Sequence, residues 1–136
     1  MRPTAALAAA ALLAVILSGC SANDVTAAGL ENAVGTTFAR MYALQQTDLG
    51  HTAARADPAA ACTQGSAGAG AWTCTVHYPF PDGHVEGVAL EVEVQPIGCY
   101  TATAPASLVG AQQIRDTNGR LVTNPLFAFD GCFALR

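Results

Sequence analysis

The sequence predicts an α+β domain: one N-terminal helix packed on an antiparallel sheet of four to six strands, held by two disulfides. Three observations carry that expectation. Residues 23–49 repeat apolar side chains at helical spacing, residues 72–78 and 88–94 alternate apolar and polar residues at strand spacing, and four cysteines follow the helix.

In the first element, Leu30, Val34, Thr37, Phe38, Met41 and Leu44 share one stripe, while Glu31, Asn32, Thr36, Ala39 and Arg40 lie off it. Asn23 or Asp24 is the expected N-cap and Gly50 the expected stop. Gly29 and Gly35 each weaken the helix by about 1 kcal/mol against alanine, so it needs a surface to pack on. Residues 50–70, rich in Ala, Gly, Pro and Ser, read as the least structured part of the domain.

The sheet supplies the surface. Trp72, Cys74, Val76 and Tyr78 alternate with Thr73, Thr75 and His77, and Val88, Leu90, Val92 and Val94 alternate with Ala89, Glu91 and Glu93. Turn residues Pro79 to Gly83 join these two runs into a hairpin. A shorter strand, Cys99 to Ala104, stops at Pro105. A second hairpin, Gln112 to Asp116 and Arg120 to Thr123, is expected around Asn118 and Gly119 in a tight primed turn. Leu126 to Phe133 forms a last strand, interrupted by Asp130 and Gly131.

Ahead of the domain, Arg2, the apolar run Ala5 to Leu17 and the small residues behind it have the three parts of a secretory signal. The run is too short for a spanning helix, which needs roughly 20 residues. It ends in Leu17, Ser18, Gly19 and Cys20: an aliphatic residue, two small residues and a cysteine, the pattern of a lipobox. The expected layout is a signal peptide over 1–19, a lipidated tether over 20–26 and a single domain over 27–136. Two or more acyl chains on Cys20 suffice for stable anchoring to the cell membrane on its extracytoplasmic face.

Composition narrows the partners. The chain has 6 basic and 10 acidic residues, a formal charge of −4, and all six basic residues are arginines. Without lysine there is no Schiff-base chemistry and no phosphate-loop lysine, and net acidity argues against nucleic acid. Cys62, Cys74, Cys99 and Cys132 allow three pairings in an oxidising compartment. Cys62 with Cys74, closing a local loop, and Cys99 with Cys132, stapling the last strand to an earlier one, are favoured. Neither zinc-type C-x-x-C spacing nor an unpaired catalytic thiol is expected.

The lipobox at Cys20, the single early helix, the loop cysteine Cys62 with the motif Trp72-Thr73-Cys74-Thr75-Val76, and the later strands resemble small bacterial lipoproteins of actinobacterial type. The resemblance implies location and fold rather than an activity. The closing segment from Asn124 to Phe133 goes beyond the shared pattern. Cystatin-like folds, in which a curved sheet wraps a helix, offer an analogy for the architecture and license no function.

Few residues suggest chemistry. His77, Asp82, His84 and Glu86 cluster around the first hairpin, but alternation puts His77 on one face while His84 and Glu86 start on the other, so convergence on one metal is not expected. Glu91 and Glu93 are neighbours on a wet strand face, unlike a carboxylate pair flanking a cleft. Ser66 and Ser107 lie outside any nucleophile elbow, and the glycine run from Gly65 to Gly70 lacks the context of a phosphate loop. Aromatic residues concentrate in the sheet: Trp72, Tyr78, Phe80, Tyr100, Phe127, Phe129 and Phe133. Phe80 at a turn tip is the best candidate anchor, and Trp72, His77 and His84 are the other candidate binding residues. The expectation is a non-enzymatic, membrane-tethered binding or envelope-interaction module with no cofactor, whose partner is another envelope protein or a small apolar ligand. The alternatives are a metal binder or enzyme using the hairpin His and Glu residues, and an inhibitor of an envelope enzyme acting through the Pro79 to Gly83 loop.

Overall fold

A computed structural model of the chain describes residues 25–135. The signal and lipobox residues including Cys20, the expected caps Asn23 and Asp24, and Arg136 lie outside the described residues. The elements are α1 (Ala27–Asp48), β1 (Ala60–Gln64), β2 (Ala71–Pro79), β3 (Val85–Val94), β4 (Cys99–Thr103), α2 (Ala106–Val109), β5 (Gln113–Arg115), β6 (Leu121–Thr123) and β7 (Ala128–Cys132). Five strands form one antiparallel sheet in the order β1-β2-β3-β4-β7, and β5 with β6 forms a separate ribbon. The expected α+β architecture and both favoured disulfides are present.

The helix begins later than the sequence suggests. Thr26 is the N-cap, its hydroxyl accepting from the Gly29 amide at 3.1 Å. At the other end Gly50 takes φ +74°, the His51 amide donates to the Gln46 carbonyl at 2.8 Å and the Gly50 amide to Thr47 at 3.0 Å. These paired bonds are the Schellman arrangement, which satisfies carbonyls the helix leaves free. Leu30, Val34, Phe38 and Tyr42 form the buried seam. Leu44, expected on that seam, is 50 % exposed, and Met41 is only partly buried. Beyond Phe38 the seam advances to Tyr42 and Gln45, because the last turns lie over polar loop groups rather than over apolar sheet.

Residues 60–64 form a strand where a loop is expected. Only Cys62 of the five is buried, so period-two hydrophobicity is absent and the pairing with β2 comes from register, Cys62 opposite Cys74. Glu31 guards this edge: its Oε1 accepts from the Cys62 amide at 3.0 Å, occupying a donor that would otherwise invite another strand. Gly35 lets the preceding segment cross the helix. A Cβ there would stand 1.8 Å from the Pro58 carbonyl oxygen.

Alternation fills the core as expected, with Trp72, Cys74, Val76 and Tyr78 from β2, Val88, Leu90, Val92 and Val94 from β3, and Tyr100, Ala102 and Phe129 beyond them. Asp130 and Gly131 do not interrupt β7. Gly131 pairs with Tyr100, whose ring covers it on the way to the Ala33 carbonyl and the Thr37 hydroxyl, both 3.0 Å from the Tyr100 oxygen. The opposite sheet face carries Thr63, Thr73, Thr75, His77, Glu91, Glu93, Thr101, Thr103 and Asp130, all exposed. The sheet is thus packed on one side and wet on the other, as antiparallel sheets allow.

Three hairpins use one turn device. In Phe80 to His84, Gln95 to Cys99 and Asp116 to Arg120, the first amide donates to the last carbonyl, and the fourth residue, a glycine at positive φ, donates back to the first. This is a type I turn followed by a left-handed residue in a bulge. The Asn118-Gly119 turn is therefore not the primed turn expected, which requires positive φ at both central positions; among the described residues only glycines have positive φ. Asp116 decides the difference, its Oδ1 accepting from the amides of Asn118 and Arg120 at 2.8 and 2.9 Å.

Candidate functional site

The β2–β3 hairpin brings Phe80, Asp82, His84 and Glu86 together at its tip. Its Pro81-Asp82-Gly83 loop folds by the turn described above, with Phe80 and His84 joined through an amide–carbonyl bond of 2.8 Å. Their rings stack face to face, centroids 4.2 Å apart and planes within 5°. Nδ1 of His84 hydrogen-bonds the Asp82 carboxylate, and Nε2 lies 3.4 Å from Glu86. The hydrogen bond that His84 makes to the Asp82 carboxylate, with Glu86 adding to it, raises the His84 pKa above its ordinary 6.5. Bonds to the His84 backbone and ring lower that of Asp82 below its ordinary 3.8. A protonated ring against Phe80 also gains cation–π attraction.

Beneath the tip an aromatic ladder descends to the core. Phe80 meets Tyr78 edge-on at 4.8 Å, and Tyr78 meets Tyr42 edge-on at 5.3 Å. The Tyr42 hydroxyl donates to the Pro79 carbonyl at 2.8 Å, and the Tyr78 hydroxyl donates to Gln45 Oε1 at 3.1 Å. Burial pushes both tyrosine pKa values up, which keeps the hydroxyls neutral and donating. Gln45 continues the chain of bonds, its Nε2 donating to the Val109 carbonyl and to Asn124 Oδ1 at 2.7 and 2.9 Å. Buried Gln45, Gln46 and Asn124 escape a reading by sequence, because glutamine on a helix looks like a solvated residue.

The other candidate residues sit apart from the tip. His77 is exposed on the outward sheet face, opposite Gly87, whereas Glu86 pairs with Tyr78 on the inward side. Glu91 and Glu93 share the outward face with it. Among the described residues no three His, Cys, Asp or Glu side chains converge as a metal site would require. Trp72 belongs to the opposite end of β2, 9 % exposed, its indole nitrogen 3.3 Å from the Ala69 carbonyl. Beside it a shallow groove of about 420 Å³ is lined by Val25, Trp72, Val94 and Pro96. A second, of about 390 Å³, runs between α1 and residues 53–58, lined by Ala39, Ala43, Ala54 and Pro58.

The fold and this tip define a small two-layer domain, a disulfide-bonded sheet under one helix, presenting a braced aromatic–imidazole pair. No known family matches the chain, and no curated protein or solved structure matches it either.

Proposed function

We propose that the chain is an exported lipoprotein, anchored through acyl groups on Cys20, and that its domain is a non-enzymatic module that binds another envelope protein through the Phe80–His84 tip. The lipobox supports the location, and two disulfides accord with an oxidising compartment. The single observation that carries the binding role is the stacked, half-exposed Phe80–His84 pair. An aromatic group held rigid by a ladder beneath it loses little conformational entropy on docking, which is what an interface anchor needs.

Intact mass of the chain recovered from bacterial membranes tests the anchor: a mature protein beginning at acylated Cys20 is expected, and a Cys20→Ala chain leaves the membrane fraction. A photo-crosslinking residue at position 81, exposed in the turn beside the pair, is then expected to trap one envelope protein from the membrane-held protein, while the same group at position 75, on the outward sheet face, does not. Phe80→Ala should remove the adduct. Equal trapping from both positions, or none from position 81, rules out the tip as the binding surface.

A further inference from the structure

The helix and β2 run in the same direction, so the domain has two distinct ends. One end gathers the first turn of α1, the Gly65–Gly70 loop, the β3–β4 turn from Gln95 to Gly98 and the segment Phe133 to Leu135. Their association is direct: Val25, Gly70, Trp72 and Pro96 line one groove, the Val94 amide donates to the Gly70 carbonyl at 2.7 Å, and the Phe133 amide donates to the Gly98 carbonyl at 2.9 Å. A Cβ on Gly98 would lie 3.1 Å from the Leu135 side chain.

None of these segments contains a charged residue; of the charges next to them in sequence, Glu31 is turned to the Cys62 amide of β1, and Asp24 and Arg136 lie outside the described residues. At their centre Ile97 is 71 % exposed, the most exposed large apolar side chain among the described residues. The nearest carboxylates in the strand register, Glu93 and Asp130, lie on the outward face rather than on the end itself. The far end also exposes Val85 and Leu121, but it is charged. Asp82, His84 and Glu86 crowd the hairpin tip, and the β5–β6 turn, tied to the end of α1 by the bond from the Thr117 amide to the Asp48 carbonyl, carries Arg115, Asp116 and Arg120.

We propose that the uncharged end rests on the lipid headgroup surface, with Ile97 as its inserted side chain. This rests on the reading of Cys20 as acylated. Five residue steps separate Cys20 from Val25, so the chain spans at most about 18 Å between the acylated sulfur's residue and this end. The anchor therefore enters the domain beside Ile97 and Pro96. An acidic domain is repelled by anionic lipids, so the orientation that presents its uncharged end downward and its carboxylates outward is lowest in energy. The outcome is a fixed pose in which the Phe80–His84 tip points away from the bilayer.

The acylated full-length protein, reconstituted in vesicles of phosphatidylcholine and phosphatidylglycerol with and without a spin-labelled lipid quencher, tests this. Ile97→Trp and Leu121→Trp place reporters on exposed sites at the two ends; the signal of Trp72, the sole native tryptophan, is subtracted using the unsubstituted protein. Quenching by the labelled lipid should be about twofold stronger at position 97 than at 121, as for a side chain at the headgroup–acyl boundary. Gln95→Trp, on the same turn, replaces Ile97→Trp if the latter lowers the melting temperature. Protein that floats with the vesicles but shows equal quenching at the two ends overturns the pose and leaves the anchor standing. Protein that fails to float, with an unmodified Cys20 by mass, overturns both.

Discussion

At the residue scale, His84 and Asp82 are tuned against one another. The His84 pKa is raised, so its share of the tip's stability is complete below the unfolded value of about 6.5 and is lost as pH rises through the higher folded value. The Asp82 pKa is lowered, so its share is complete above about 3.8 and is lost as pH falls through the lower folded value. The tip is therefore firmest between roughly pH 4 and 6.5, with both groups charged. Asp82→Asn should return the His84 titration, followed by its ring-proton shifts, toward the ordinary value. A His84 midpoint unchanged by that substitution would show that the carboxylate does not hold the ring. Phe80 was recognisable in the sequence as an aromatic at a turn tip. The stacking was not, since it depends on the left-handed Gly83 that closes the turn and brings position 84 over position 80.

At the scale of elements, each disulfide joins residues directly opposite in adjacent antiparallel strands. Cys62 and Cys74 have Cα atoms 4.1 Å apart, and Cys99 and Cys132 have them 3.9 Å apart. Such close spacing belongs to the non-hydrogen-bonded pairs of an antiparallel ladder, and the Cys62 amide accordingly points away from β2 toward Glu31. The two bridges clamp the two outer strands of the sheet, β1 and β7. Edge strands have one neighbour instead of two and are short here, so they gain most from a covalent tie. By loop closure, removing Cys62–Cys74, with a separation of 12, costs about 3 kcal/mol, and removing Cys99–Cys132, with a separation of 33, about 4 kcal/mol. Urea unfolding of the paired Cys→Ala variants should place the Cys99–Cys132 variant as the less stable. The reverse order would mean that native-state strain or residual unfolded-state structure outweighs loop length. The strands that alternate strongly, β2 and β3, were legible in advance. Strand β1 was not, because an edge strand burying a single residue carries almost no periodic signal.

At the scale of the molecule, the polar cluster around Gln45 ties the helix, the first hairpin, α2 and the approach to β7 at one point. Gln45 Oε1 accepts from Tyr78, its Nε2 donates to Val109 and Asn124, and Asn124 Nδ2 also donates to Val109 and Ala111. Among the described residues every buried side-chain polar atom has a partner, which is the condition under which a buried network adds specificity. Gln45→Leu leaves the Tyr78 hydroxyl and Gln46 Nε2 without their acceptor, while the Val109 carbonyl and Asn124 Oδ1 keep Asn124 Nδ2 and the Leu126 amide; each unpaired buried donor costs about 1–3 kcal/mol, so a loss of about 3 kcal/mol is expected in denaturant unfolding. The Tyr78 hydroxyl should at the same time become exchange-labile by NMR. A change below about 1 kcal/mol would mean that water or a rearranged Gln46 replaces the lost bonds.

The chain's own order of residues determined the helix, the alternating strands of the central hairpin and the turn positions, because each is written in local spacing: a period near four, a period of two, or a glycine closing a turn. The cysteine spacing favoured the observed pairs among three, and strand register settled them. Tertiary structure alone decided the helix's final seam, the β1 edge, the stacked imidazole and the Gln45 network. Those depend on what lies across from a residue, and a glutamine or an alanine-rich strand carries no local mark of the surface that will cover it.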